Sequence, residues 1–169
     1  MVSKYLAVFI MLIFFFSAAK AQTFDTEKDI KNRAKIPAGI LKLLGKSAAV
    51  GECLGRGDLE SADKLSASWF QAARVNLNND KFADYVVKSD KDCLYGPRAA
   101  TWWIFRGSPK GFIEVFEDSV LLLSLKKTKT AGFYDIQTET TMVNIIRNTW
   151  TFDGRKYKLK RTKIVKVGS

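Results

Sequence analysis

From Trp69 onward apolar residues fall at every second position, and β-branched and aromatic side chains dominate. A strand sends successive side chains to opposite faces, so this period of two commits residues 69–167 to β-sheet. The pattern predicts strands over residues 69–75, 84–88, 100–106, 112–117, 120–125, 133–140, 144–152 and 156–167. Asp153-Gly154, between Trp150/Phe152 and Tyr157/Leu159, is a tight hairpin signal, because glycine takes the positive φ that short turns demand. Gly107-Ser108-Pro109-Lys110-Gly111 makes a second hairpin, joining the tryptophan-rich strand to residues 112–117. Upstream, residues 22–67 read as short helices broken by turns. Thr26 and Asp29 have the spacing of a capping box, and Pro37 opens a segment with Ile40, Leu43 and Leu44 on one face. Gly55-Arg56-Gly57-Asp58 breaks the chain, and Leu59, Ala62 and Leu65 suggest a last short helix.

The strands repeat. Phe82-Ala83-Asp84-Tyr85 returns as Phe133-Tyr134-Asp135-Ile136, 51 residues on, while Trp103, Phe105 and Gly107 return as Trp150, Phe152 and Gly154, 47 residues on. Each unit is a strand starting near an aspartate, an aromatic strand, a Gly turn and a returning strand, a pattern that propeller blades leave in sequence. Two units are too few for a propeller of about four or more blades. The expected fold is α+β, mainly β, with antiparallel sheets from two repeated β units arranged as an incomplete propeller or a sandwich. The helical segment 22–67 is expected to pack on the sheets of 68–169 in one globular domain.

The chain starts with the features of a secretory signal over residues 1–21. Lys4 precedes an uncharged apolar run to Ala19, and Ala19-Lys20-Ala21 before Gln22 is the small-x-small pattern that signal peptidase reads. The run is shorter than the ~20 residues of a membrane-spanning helix, and none like it follows. The expectation is an exported protein, periplasmic or secreted after cleavage near Ala21, with no transmembrane segment in the mature chain. Of 28 Lys plus Arg, Lys4 and Lys20 belong to the signal, and the remaining 26 stand against 17 Asp plus Glu, a net charge of +9. At that address nucleic acid is disfavoured as a partner, and an anionic envelope component or an acidic protein fits the charge. An oxidising compartment also suits a disulfide between Cys53 and Cys93, which would stabilise by about 4 kcal/mol in the chain-entropy account. The alternative is two unpaired thiols. A zinc site lacks ligands, since the chain has no histidine and two thiolates do not fill a tetrahedral shell.

Asn76-Leu77-Asn78-Asn79-Asp80-Lys81-Phe82-Ala83-Asp84 places oxygen side chains at alternate positions of a compact loop, as a hard cation requires. The candidate ligands are Asn76, Asn78, Asp80, the Phe82 carbonyl and Asp84. With Tyr85-Val86-Val87 behind it, the loop resembles the D-x-N-x-D-G-x-x-D-hydrophobic loop of FG-GAP and VCBS-type repeats. The wider run is similar to a group of small exported bacterial proteins of unassigned function with degenerate repeats of this kind. It extends from Ser68-Trp69-Phe70 through Trp102-Trp103-Ile104-Phe105-Arg106 and Gly132-Phe133-Tyr134-Asp135 to Phe152-Asp153-Gly154-Arg155-Lys156-Tyr157. The resemblance implies calcium-loop β units. Asn76 stands where those repeats favour aspartate and Lys81 where they favour glycine, so any calcium would be weakly bound. The alternative is an Asx-rich turn with no cofactor. The second unit has lost the acidic positions before Asp135 and is expected to bind nothing.

Catalysis is hard to seat without histidine, and Asp84, Asp92, Glu114, Glu117, Asp135 and Glu139 show no pairing by spacing. Trp103 and Phe105 repeat as Trp150 and Phe152, which marks them as core. Trp102 lies on the opposite face with no aromatic counterpart, which makes it the candidate ligand aromatic. At the C-terminus Lys156, Lys158, Lys160, Arg161 and Lys163 interleave with Tyr157 and Leu159, with no acid after Asp153. Such a strand is either an edge protected by its lysines or a docking surface for an anionic partner. The function expected is an exported, non-enzymatic binding or structural module of the cell envelope. The alternative is an envelope-acting hydrolase, or an inhibitor of one.

Overall fold

The computed structural model describes residues 22–55, 65–96 and 98–166, and builds them as two antiparallel sheets with two helices, mainly β as expected. The signal segment 1–21 and most of the helix expected around Leu59 and Ala62 lie outside the described residues. The first sheet takes β2 (Phe70–Val75), β3 (Asp84–Ser89), β5 (Ala99–Ser108) and β6 (Gly111–Val120) as successive antiparallel neighbours. The two-residue β4 (Tyr95–Gly96) pairs with the start of β5. The second sheet runs β1 (Gln22–Asp25), β7 (Leu122–Thr130), β8 (Phe133–Thr141), β9 (Ile145–Phe152) and β10 (Tyr157–Val165). Each stretch matched by the repeat is thus a meander of its own, β3-β5-β6 in one sheet and β8-β9-β10 in the other.

The meanders stack face to face in one sense. Trp103 and Phe105 of the first point at α1 (Ala38–Leu44) and α2 (Ala48–Gly55), where they share a core with Ile40, Leu44 and Val50. Their counterparts Trp150 and Phe152 point at the first sheet and pack with Val86, Ile104, Phe116 and Ile136. The helices cover on the first sheet the face that the first sheet covers on the second. The aromatic repeat therefore records a common need for apolar cover on one face, met by two different covers. The result is a three-layer sandwich, and its central sheet is buried on both sides, so β5 is apolar without a break from Trp102 to Phe105.

The N-terminal segment departs from the expected run of helices. It begins as a strand, with β1 pairing β7, and Thr26 and Asp29 form no capping box. Only Leu121 separates β6 from β7 as the chain crosses between sheets, which leaves the Val120 and Leu121 carbonyls outside the ladders. The Thr26 hydroxyl donates to Val120 (2.8 Å) and its N–H to Leu121 (2.9 Å), so Thr26 satisfies the crossing instead of starting a helix. Pro37 does stand at the N-cap of α1, and Ile40 and Leu44 are the buried positions of that helix. Cys53 and Cys93 are joined by a disulfide, Cα atoms 5.4 Å apart, which ties α2 to the turn Asp92–Leu94 behind β3.

Candidate functional site

The Asn76–Asp84 loop connects β2 to β3, and its oxygens turn onto its own backbone. Asn76 Oδ1 accepts the Asn79 N–H, Asn78 Oδ1 that of Asp80 (3.1 Å), and Asp80 Oδ1 that of Phe82 (2.7 Å). This is the hydrogen-bonding of consecutive Asx turns, with Asn79 in the left-handed region at φ 64°. Asp84 is fully buried, and its two oxygens accept the N–H groups of Leu77 (2.8 Å) and Gly107 (2.9 Å). Burial raises its pKa, and those two N–H bonds oppose the rise. Asp84 is thus committed to joining the loop to β5, and the other carboxylate of the motif, Asp80, is exposed but accepts from the Phe82 N–H on Oδ1 and from Asn78 Nδ2 on Oδ2 (2.7 Å each). Among the described residues no three Cys, Asp or Glu side chains converge as metal ligands. The side-chain oxygens of the loop are bonded to its own N–H groups in this arrangement, whereas a calcium ion takes about six to eight oxygens. Melting midpoints measured with millimolar calcium and with chelator should coincide; a calcium-dependent rise of several degrees would restore the metal site.

Trp102 belongs to the core rather than to a ligand platform. Its side chain is fully buried between the sheets, and its Nε1 donates to Thr26 Oγ1 (3.1 Å) and the Val120 carbonyl (3.2 Å). Its repeat equivalent is Thr149, on the outer face of the second sheet, which no third layer covers among the described residues. The missing aromatic counterpart therefore reflects position in the stack.

Among the described residues β10 is the outermost strand of its sheet and pairs only with β9. The register slips between Leu159 and Arg161, so Lys160 is an extra residue and strict alternation fails there. Lys158 opposes Thr151, Arg161 opposes Thr149 and Lys163 opposes Arg147, which puts these three cations on the outer face. Lys156 lies in the turn before the strand. Lys158, Lys160, Arg161 and Lys163 are exposed, and none makes an ion pair within 4 Å among the described residues. Arg147 is engaged, with Nε 2.7 Å from Glu139 Oε1.

Between β6 and β10 lies a cleft of about 350 Å³ lined by Glu114, Glu117, Phe116, Trp150, Lys156 and Lys158 among others. A bulge in β6 pairs Phe105 with Glu114 and Ile104 with Phe116, so Val115 is the extra residue and Glu114 and Glu117 share a face. Sequence spacing alone does not reveal that pairing. Ser47 Oγ donates to Glu117 Oε1 (2.9 Å). Glu114 is pushed up to about 7, first by burial and then by the charge of Glu117, with Lys156 opposing. Its folded pKa exceeds its unfolded one, so its stabilising contribution is complete below about 4.5 and is lost as pH rises through about 7. Replacing Glu114 with glutamine should flatten the fall in melting midpoint across that window, removing roughly 1–2 kcal/mol of pH dependence after solvent screening. An unchanged profile in the variant would contradict this assignment.

Lys88 escaped the sequence reading. It is 2 % exposed at an inward position of β3, and its Nζ donates to the carbonyls of Thr26 (3.1 Å) and Lys28 (3.0 Å). Burial lowers its pKa while Asp90, Asp29 and Asp25 oppose the shift. Gln71 braces the same end, donating to Asp29 (2.8 Å) and Asp90 (3.0 Å) and accepting the Ile30 N–H (2.8 Å). The only hint in the sequence is a lysine in phase with Val86 on an apolar strand. The group clamps the N-terminal segment to the sheet and has too little exposure to meet a ligand. No family model, curated protein or solved structure matches this chain.

Proposed function

We propose that this chain is an exported, non-enzymatic binding module of the cell envelope, and that β10 is the surface it presents to an anionic partner. The observation that carries the reading is an open edge strand whose four cations Lys158, Lys160, Arg161 and Lys163 are solvent-facing and free of ion pairs among the described residues. Lysines on an edge discourage pairing with another strand. An uncompensated cationic row also attracts polyanions, with an affinity that falls as salt screens it. The disulfide and the signal-like first 21 residues support the address. Changing Lys158, Arg161 and Lys163 together to serine should weaken retention on a polyanion such as poly(glycerol phosphate) at least tenfold at low salt. The control removes Lys42, Lys46 and Lys110, which are exposed elsewhere, and should retain most of the binding. Equal losses in the two variants would reduce the effect to net charge and defeat the proposal.

A second reading draws on the cleft, where Glu114 and Glu117 stand together beside Trp150. A carboxyl group raised to about 7 beside a second carboxylate is the kind of pairing that glycoside hydrolysis uses. Release of reducing ends from envelope glycan, abolished by Glu114→Gln, would establish it. Wild-type protein without such activity would remove it.

A further inference from the structure

We infer that the free end of the second sheet, built from the β8–β9 turn and the close of β10, is a docking tip for an anionic lipid bilayer. The inference rests on the reading of β10 as a polyanion-binding surface and names its partner. Met142 and Val143 occupy the turn between β8 and β9 and are 82 % and 87 % exposed. The turn is closed by the Met142 N–H donating to the Asn144 carbonyl (3.2 Å), which holds the pair at the apex. Beside them, Ile145 pairs with Val165 and Ile146 with Ile164, and Ile164 is 63 % exposed. Single exposed apolar residues are ordinary on a protein surface. Here three of the most exposed large apolar side chains of the described chain meet at one end of one hairpin system.

Cations flank this end. Lys163 is exposed on β10 and Lys166 just past its last residue, and Arg98 is exposed in the turn before β5. Arg98 and Ala99 line a cavity of about 550 Å³ together with Thr140, Thr141 and Met142. The nearest acid in the ladder, Glu139, is already paired with Arg147. Apolar residues at an apex flanked by cations suit a bilayer, where lipid headgroups meet the charges and the acyl boundary takes up the apex. A folded acidic protein would need a pit shaped to the apex, whereas a lipid surface yields to it. Each cation near an anionic leaflet contributes about 1 kcal/mol, so charge and apex together can hold a protein reversibly at a membrane.

The test is co-sedimentation of the disulfide-bonded protein with vesicles of phosphatidylcholine alone or mixed with phosphatidylglycerol. Binding should require phosphatidylglycerol, fall with salt, and drop at least tenfold in Met142→Ser/Val143→Ser. That variant should keep wild-type melting and wild-type retention on poly(glycerol phosphate), because both positions lie outside the core. Vesicle binding that survives the double substitution overturns the tip. Retention on the soluble polyanion or on polyglutamate without vesicle binding also overturns it, while leaving the basic surface in place. Failure on soluble polyanions and vesicles alike would remove both readings.

Discussion

Replacing Gly107 with alanine should cost roughly 3 kcal/mol or more and lower the melting midpoint by about 10 °C. A Cβ built on Gly107 would stand 2.4 Å from the Ala83 carbonyl oxygen, 3.0 Å from the Phe82 Cβ and 3.2 Å from the Ala83 carbonyl carbon. The first and third of these are backbone atoms, so no rotamer change relieves them. Moving β5 away would stretch the 2.9 Å bond from the Gly107 N–H to Asp84 and leave a buried carboxylate oxygen without its donor. The effect is separable from glycine's conformational freedom by the repeat itself. Gly154 holds the equivalent position at φ 99° with nothing within 4 Å of its added Cβ, so Gly154→Ala should cost only about 1–2 kcal/mol of backbone strain. Urea unfolding of the two variants compares them directly. Equal losses would mean that the close approach of β5 to the Asn76–Asp84 loop is not what Gly107 is for.

Trp102→Ala is expected to be the most damaging side-chain truncation, about 3–5 kcal/mol in urea unfolding. The indole is fully buried against Phe24, with ring centroids 6.0 Å apart, so its loss opens a cavity between two sheets that cannot both collapse onto it. It also removes a donor from the Val120 carbonyl and the Thr26 hydroxyl at the crossing from β6 to β7. Trp102→Phe retains most of the apolar area and should lose roughly 1–3 kcal/mol, isolating the hydrogen bonds from the packing. A near-neutral Trp102→Ala would return this side chain to the role of a surface aromatic.

Much of the β architecture is legible because alternation is a local property. Every predicted strand corresponds to one in the fold, and the hairpin at Asp153-Gly154 closes with Asp153 accepting the N–H groups of Arg155 and Lys156 (2.8 Å each). Alternation also separates Trp102 from Trp103 onto opposite faces. Which face is covered, and by what, depends on the order in which helices and sheets stack, and that carries no local signal. The Asn76–Asp84 motif reads identically as an ion loop or as Asx turns. What engages Asp84 in the fold includes the N–H of Gly107, 23 residues away in the chain, which no local pattern announces. Bulges at Val115 and Lys160 are invisible beforehand for a related reason, since a bulge is defined by the partner strand.

Taken alone, the sequence determined the strands from about residue 70 onward, the cationic excess of the C-terminal strand and the availability of two cysteines, because each depends on side chains near one another in the chain. Tertiary structure alone decided that Trp102 is core, that Asp84 serves two backbone amides, and that Glu114 and Glu117 share a cleft. It also decided that Lys158, Arg161 and Lys163 form the basic face, beside an apolar tip at Met142 and Val143. The physical reason is common to all of these. Burial, hydrogen-bond partners and pKa are set by whatever lies across the sheet or in the next layer, and those neighbours are chosen only when the layers come together.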